Sequence, residues 1–156
     1  MDWDPTKGLE KIGKYCAYQD RCHMEVKHKL KSLGCPYYEM NEILVKLIDQ
    51  GFLDEERFAR SYARGKFKMK SWGRIRIRRE LKMRQINEML IDYAIKEEIS
   101  EEAYTETVEK IAFKKAYLLD YPIDRLKREK IIKYIQSRGF EWEYIEKVLP
   151  VVMAGE

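Results

Sequence analysis

Apolar positions recur along this chain with helical spacing. Met40, Ile43, Leu44, Leu47 and Ile48 follow i, i+3, i+4, i+7, i+8, and Val108, Ile111, Ala112, Lys115, Ala116 and Leu119 do likewise. Lys115 fits such a stripe because its aliphatic stem lies on apolar surface while its ammonium reaches water. Glycines and prolines fall between the runs. Gly34-Cys35-Pro36, Gly51, Gly73, Tyr121-Pro122, Gly139 and Pro150 read as breaks. The one alternating stretch, Arg74-Ile75-Arg76-Ile77-Arg78, is short, and Ile77 with Leu81 continues it as helix. Start and stop signals agree with this. Asp54 and Ser100 each precede two acids and a helical pattern, as N-caps do. Pro36 suits a first helical position and Gly51 a left-handed helix end.

The same apolar frame occurs three times. With Leu30, Leu81 and Ile135 in register, Val26, Ile77 and Ile131 match four residues earlier. Gly34, Gln85 and Gly139 match four residues later. Met40, Ile91 and Ile145 follow, then Ile43, Ala94 and Val148, then Leu44, Ile95 and Leu149. Each copy reads as a helix, a tight turn and a second helix. A further helix precedes each pair, at about 8–19, 55–68 and 101–119. The expected fold is all-α: three tandem three-helix repeats forming an elongated, curved helical array. We place the units at residues 1–53, 54–99 and 100–156. Units of about fifty residues are marginal alone, so neighbours are expected to share buried surface.

Composition narrows the class. The 156 residues are 45% hydrophobic and 37% charged, which describes a folded chain with a highly charged surface. The N-terminal stretch MDWDPTKGLEKIGK carries acids and no apolar signal core, and no apolar run approaches a membrane span. We expect a cytoplasmic protein with no membrane partner, acting as a monomer. Cys16, Cys22 and Cys35 are odd in number and contain no C-x-x-C, so free thiols are expected. Zinc bound by these cysteines with His23 and His28 fits no common spacing. Helix-dipole pairing accounts for Asp49, Asp54, Glu55 and Glu56 without a metal.

The formal net charge of +4 conceals a strong polarity. Residues 57–84 hold twelve Lys and Arg and one acid, Glu80, a net of +11. The stretch 97–109 holds six glutamates and no base. On a wheel of about 100° per residue, Arg76, Arg78, Arg79 and Lys82 point away from the side marked by Ile77 and Leu81. Arg74 lies near the core edge. Lys66-Phe67-Lys68-Met69-Lys70 and Trp72 lead into that face. Such a surface attracts phosphate or an acidic protein. Phe67 and Trp72 are expected to pack between repeats, the alternative being stacking on unpaired bases. The candidate contact residues are Lys66, Lys68, Lys70, Arg74, Arg76, Arg78, Arg79, Lys82 and Arg84.

No catalytic signature is present. G-x-S-x-G, the Walker phosphate loop and H-E-x-x-H are all missing, and Gly65-Lys66 and Gly73-Arg74 follow no strand. No cofactor is expected, and a binding protein is the better class.

Certain blocks resemble a known family. They are Arg21-Cys22-His23-Met24-Glu25-Val26-Lys27-His28-Lys29-Leu30 and Leu47-Ile48-Asp49-Gln50-Gly51-Phe52-Leu53-Asp54-Glu55-Glu56-Arg57-Phe58-Ala59. Trp72-Gly73-Arg74-Ile75-Arg76-Ile77-Arg78-Arg79-Glu80-Leu81 and Ser137-Arg138-Gly139-Phe140 follow in order. Together they resemble the RecX family over residues 8–149. Cys22 stands where the family often has Ser, and Gln85 where it often has Gly. The resemblance implies a cytoplasmic regulator with no catalytic residues of its own. Its partners would be RecA and the RecA–single-stranded DNA filament, with direct DNA phosphate contacts possible. It would damp filament growth, ATP hydrolysis, strand exchange and co-protease activity. A stand-alone, sequence-nonspecific DNA-binding architectural protein is the alternative.

Overall fold

The computed structural model describes residues 2–119, 122 and 125–154. Among them the chain forms nine helices and no strand. The first triplet is α1 (Pro5–Tyr18), α2 (His23–Ser32) and α3 (Tyr37–Asp49). The second is α4 (Glu55–Lys70), α5 (Arg74–Met83) and α6 (Glu88–Glu98). The third is α7 (Glu101–Leu118), α8 (Arg125–Ser137) and α9 (Trp142–Met153). The chain is thus all-α, in three successive three-helix units.

Local chemistry explains the helix boundaries. Asp54 accepts from the Arg57 amide at the start of α4, and Ser100 from the Ala103 amide at the start of α7. Gly51 adopts φ +78°, a left-handed conformation that costs glycine little. Two expectations shift. Pro36 caps α3 from outside instead of opening its first turn, because its ψ of 143° is extended. Pro150 lies inside α9 and does not break it. Val152 beyond it is 5% exposed, and its burial keeps the last turn helical. Of the expected break at Tyr121-Pro122, Tyr121 lies outside the described residues, as do Gly155 and Glu156 of the tail.

The threefold frame is visible atom by atom at the turns. Gly34, Gln85 and Gly139 all have positive φ, 88°, 62° and 95°. Each amide donates three residues back, to the carbonyls of Lys31, Lys82 and Gln136. The next amides, of Cys35, Ile86 and Phe140, donate to the carbonyls of Leu30, Leu81 and Ile135. This is one Schellman motif made three times, and its following apolar residue is buried each time. The frame residues Val26, Ile77, Ile131, Leu30, Leu81 and Ile135 are all fully buried. Lys115 rides the α7 stripe with its ammonium over the Tyr134 ring, 4.9 Å from the centroid.

The buried residues divide unequally. One cluster joins the second and third triplets, from Phe58 to Val152. A separate cluster, from Ile12 to Leu53, belongs to the first triplet. Only Cys22 of the first triplet joins the larger cluster, with Met24 packed against it. The accessible surface of 10057 Å² exceeds the roughly 8,300 Å² expected of a compact monomer of this mass, so the array is elongated. All three cysteines are buried free thiols. Burial pushes the Cys22 thiol up to about 11. Among the described residues, no helix is long and apolar enough to cross a membrane.

Candidate functional site

The basic segment runs along α4 and α5, and the turn between them sets its geometry. Ser71 ends α4 in a left-handed conformation, and its amide and that of Trp72 return to the carbonyls of Phe67 and Lys66. Gly73 then leads directly into α5. The first amides of α5 find partners in the third triplet. The Gly73 amide donates to Arg138 O at 2.7 Å and that of Ile75 to Gly139 O at 3.0 Å. The Arg74 amide donates to the Tyr104 hydroxyl at 2.8 Å. Three amides at this helix start are therefore already satisfied from within the protein.

Arg74 turns inward. Its guanidinium lies 3.9 Å from the centroid of the Tyr104 ring and donates to the Tyr144 hydroxyl at 2.9 Å. Glu101 and Glu141 flank it at 3.5 and 3.8 Å. The Tyr104 hydroxyl donates to Glu141, and the Tyr144 hydroxyl donates to Glu101. Burial pushes the Tyr104 phenol far up, and the Glu141 carboxylate pushes it further. The hydrogen bond from Tyr144 holds the Glu101 carboxyl below its usual range. Arg74, two tyrosines and two glutamates thus form a closed network that locks α5 against α7 and α9.

Three more of the nine candidates pack against aromatic rings or find local partners. The Lys66 ammonium lies 5.0 Å from the Trp72 ring centroid and 5.4 Å from that of Tyr62. Arg76 covers Trp72 at 4.2 Å and reaches Ser137 O. Arg84 covers Tyr62 at 4.9 Å and pairs with Glu80. Trp72 is thus already flanked by two cations, and Phe67 is 5% exposed and stacked on Tyr104. Phe67 thus packs between triplets, as expected, whereas the ring contacts of Trp72, with Tyr62, Lys66 and Arg76, lie within its own triplet.

The remaining candidates face solvent. Arg78 pairs with Asp92 and Lys82 with Glu88, both in exposed pairs. Such pairs are worth about 0–1 kcal/mol and exchange readily. Arg79 has only a 3.9 Å contact with its neighbour Glu80. Lys68 and Lys70 are exposed, and neither has an ion-pair partner among the described residues. Earlier in α4, the basic charge is consumed internally. Arg60 and Arg64 both clamp Glu98, whose side chain is 9% exposed. Burial raises the pKa of Glu98, but the two arginine hydrogen bonds outweigh that and hold it low.

Sequence reasoning passed over Ile75, Met83, Tyr104 and Tyr144. Ile75 and Met83 are 51% and 64% exposed, on the face of α5 opposite Ile77 and Leu81. With Arg78, Arg79 and Lys82 they line an open groove of about 510 Å³ that ends at Glu141 and Arg74. The helical wheel carried that signal, since Ile75 and Met83 sit off the core stripe. Tyr104 and Tyr144 gave none, because their roles depend on packing between triplets.

Comparison with known proteins places this architecture. Residues 54–95 match the family model described as RecX, second three-helix domain. The regulatory protein RecX of Chlorobaculum tepidum is 29% identical over 132 residues, covering 85% of this chain and 79% of that one. That of Prosthecochloris aestuarii is 24% identical, over 95% of both chains. The chain spans about half, 51%, of the matched Listeria monocytogenes RecX, at 28% identity. A crystal structure of regulatory protein RecX superimposes with a TM-score of 0.83 at 27% identity, covering 92% of this chain and 71% of that one. RecX from Lactobacillus salivarius gives 0.80, also at 27% identity, over 94% and 95% of the two chains. By sequence along nearly its whole length, by its central unit and by its fold, the chain is similar to RecX regulatory proteins.

Proposed function

We propose that this chain regulates the RecA recombinase by binding its filament on single-stranded DNA and damping filament growth and ATP hydrolysis. It supplies no catalytic group of its own. The observation that carries the reading is the separation of charge along a locked pair of helix triplets. Among the described residues Lys68 and Lys70 have no ion-pair partner and Arg79 only a 3.9 Å contact on the second triplet, while the exposed Glu102, Glu106 and Glu109 line the start of the third. A nucleoprotein filament presents both phosphate and protein, so such a surface engages it along its length. The names of the relatives, regulatory protein RecX, agree with a regulatory role.

The test is the single-stranded-DNA-dependent ATPase rate of RecA from the same organism, with this protein titrated from far below stoichiometry. The expected result is a fall at low ratios of this protein to RecA, as an action on filament growth requires. A fall only near saturation of the DNA, with a steep salt dependence, would replace regulation by competition for phosphate. An unchanged rate at every ratio would overturn the proposal.

A further inference from the structure

The outer face of α5 is built for two kinds of contact at once. Ile75 and Met83 are exposed apolar side chains eight residues apart, about 12 Å along the helix axis. Arg79 lies between them, and Arg78 and Lys82 line the same groove. A phosphate backbone would neutralise the cations and leave Ile75 and Met83 in water. A purely apolar partner would bury them and strand the cations without counter-charge. One occupant satisfies both sets: a protein helix with apolar side chains one face-repeat apart and carboxylates between them.

We propose that the α5 groove docks an acidic amphipathic helical segment of a protein partner, while Lys68 and Lys70 at the end of α4 are left to meet phosphate. This deepens the regulator reading and rests on it for the partner's identity. Charge complementarity favours that occupant. Arg79 is nearly unpaired, and the pairs Arg78–Asp92 and Lys82–Glu88 are exposed enough to be exchanged for incoming carboxylates. The acids at the groove do not oppose it. Asp92 and Glu88 are already matched to those cations, and Glu141 at the far end is held by Tyr104 and Arg74. The groove is also preformed, because the Arg74 network fixes α5 against α7 and α9. Little ordering cost then falls on this side of the interface.

The experiment uses two fluorescent probes on the full chain. One is a sixteen-residue helical peptide with two leucines seven residues apart and glutamate at most other positions. The other is a single-stranded thymidine oligonucleotide. The double variant Ile75→Ser/Met83→Ser changes only exposed side chains, and its helicity is checked against the wild type. It is expected to weaken the peptide about tenfold or more and to leave the oligonucleotide within twofold. Lys68→Glu/Lys70→Glu is expected to do the reverse. The proposal falls if a leucine-free peptide binds as well as the original, if the double variant weakens both probes equally, or if the peptide does not bind. The ATPase titration separates this from the regulator reading. A wild type that damps the rate, with Ile75→Ser/Met83→Ser damping it equally, removes the groove and keeps the regulator. A peptide that binds as expected beside an unaffected ATPase removes the regulator and keeps the groove.

Discussion

The middle triplet meets its two neighbours through junctions of opposite character. Toward the third triplet it shares one continuous apolar cluster, with Tyr104 fully buried between Phe67 and Phe140. Backbone meets backbone there: a Cβ at Gly73 would overlap the Gly139 carbonyl and lie 2.6 Å from the Phe140 nitrogen. Toward the first triplet the contact is a polar latch. The His23 amide donates to Glu55 at 3.0 Å, and Arg57 donates to Asp20 at 2.8 Å and to the carbonyls of Gly51 and Phe52. Only Cys22 and Met24 add apolar contact. The same repeat frame therefore gives a rigid joint at one end and an adjustable one at the other. What differs is whether a large side chain and a pair of glycines let two backbones close on a common core.

The rigid joint is the easier to break. Gly73→Ala forces two backbones apart, since no flexible side chain can yield, and is expected to cost about 3 kcal/mol or more in urea unfolding. A cost under about 1 kcal/mol would mean that the close approach is not essential to the joint. Tyr104→Phe keeps the ring and removes the hydroxyl. It leaves the Arg74 amide without an acceptor and Glu141 without a donor, for an expected loss of about 1–3 kcal/mol. Equilibrium unfolding of the single variant measures it, and a neutral result would show that the aromatic packing alone holds the joint. The smallest effect is expected at the latch. Arg57→Ala removes a half-exposed ion pair and should cost less than about 1 kcal/mol. Native-state hydrogen exchange should then rise in α1–α3 and stay unchanged in α4–α9, because the first triplet has its own core. Equal deprotection of all nine helices would show that the latch couples as tightly as the shared core.

Much of the fold was legible because it is written in local periodicity. The apolar frame positions from Val26 to Leu149 are buried as their spacing demanded, and Gly34, Gln85 and Gly139 share one turn geometry although only two are glycine. Gln85 occupies the left-handed region because its neighbours Leu81 and Ile86 are fixed in the core, not because glutamine favours it. Pro150 misled for a related reason: the burial of Val152 outweighs a local breaker near a helix end.

The candidate site was legible as charge and illegible as geometry. A count of cations treats Lys70 and Arg74 alike. The structure leaves Lys70 in solvent and folds Arg74 over Tyr104, seventy residues before its hydrogen-bond partner Tyr144. Arg60 and Arg64 look equally available along the chain, yet Glu98 occupies both.

The amino-acid sequence by itself determined the helices, the caps at Asp54 and Ser100, the threefold frame and the basic character of the middle unit. Each depends on residues within a few positions of one another, where spacing and backbone preference act directly. Only the tertiary structure decided which cations remain free, which junction is rigid, and that Arg74 is drawn into the network of Tyr104 and Tyr144. Those outcomes depend on which side chains distant segments bring together, and ion pairing and burial are settled only when the chains are packed.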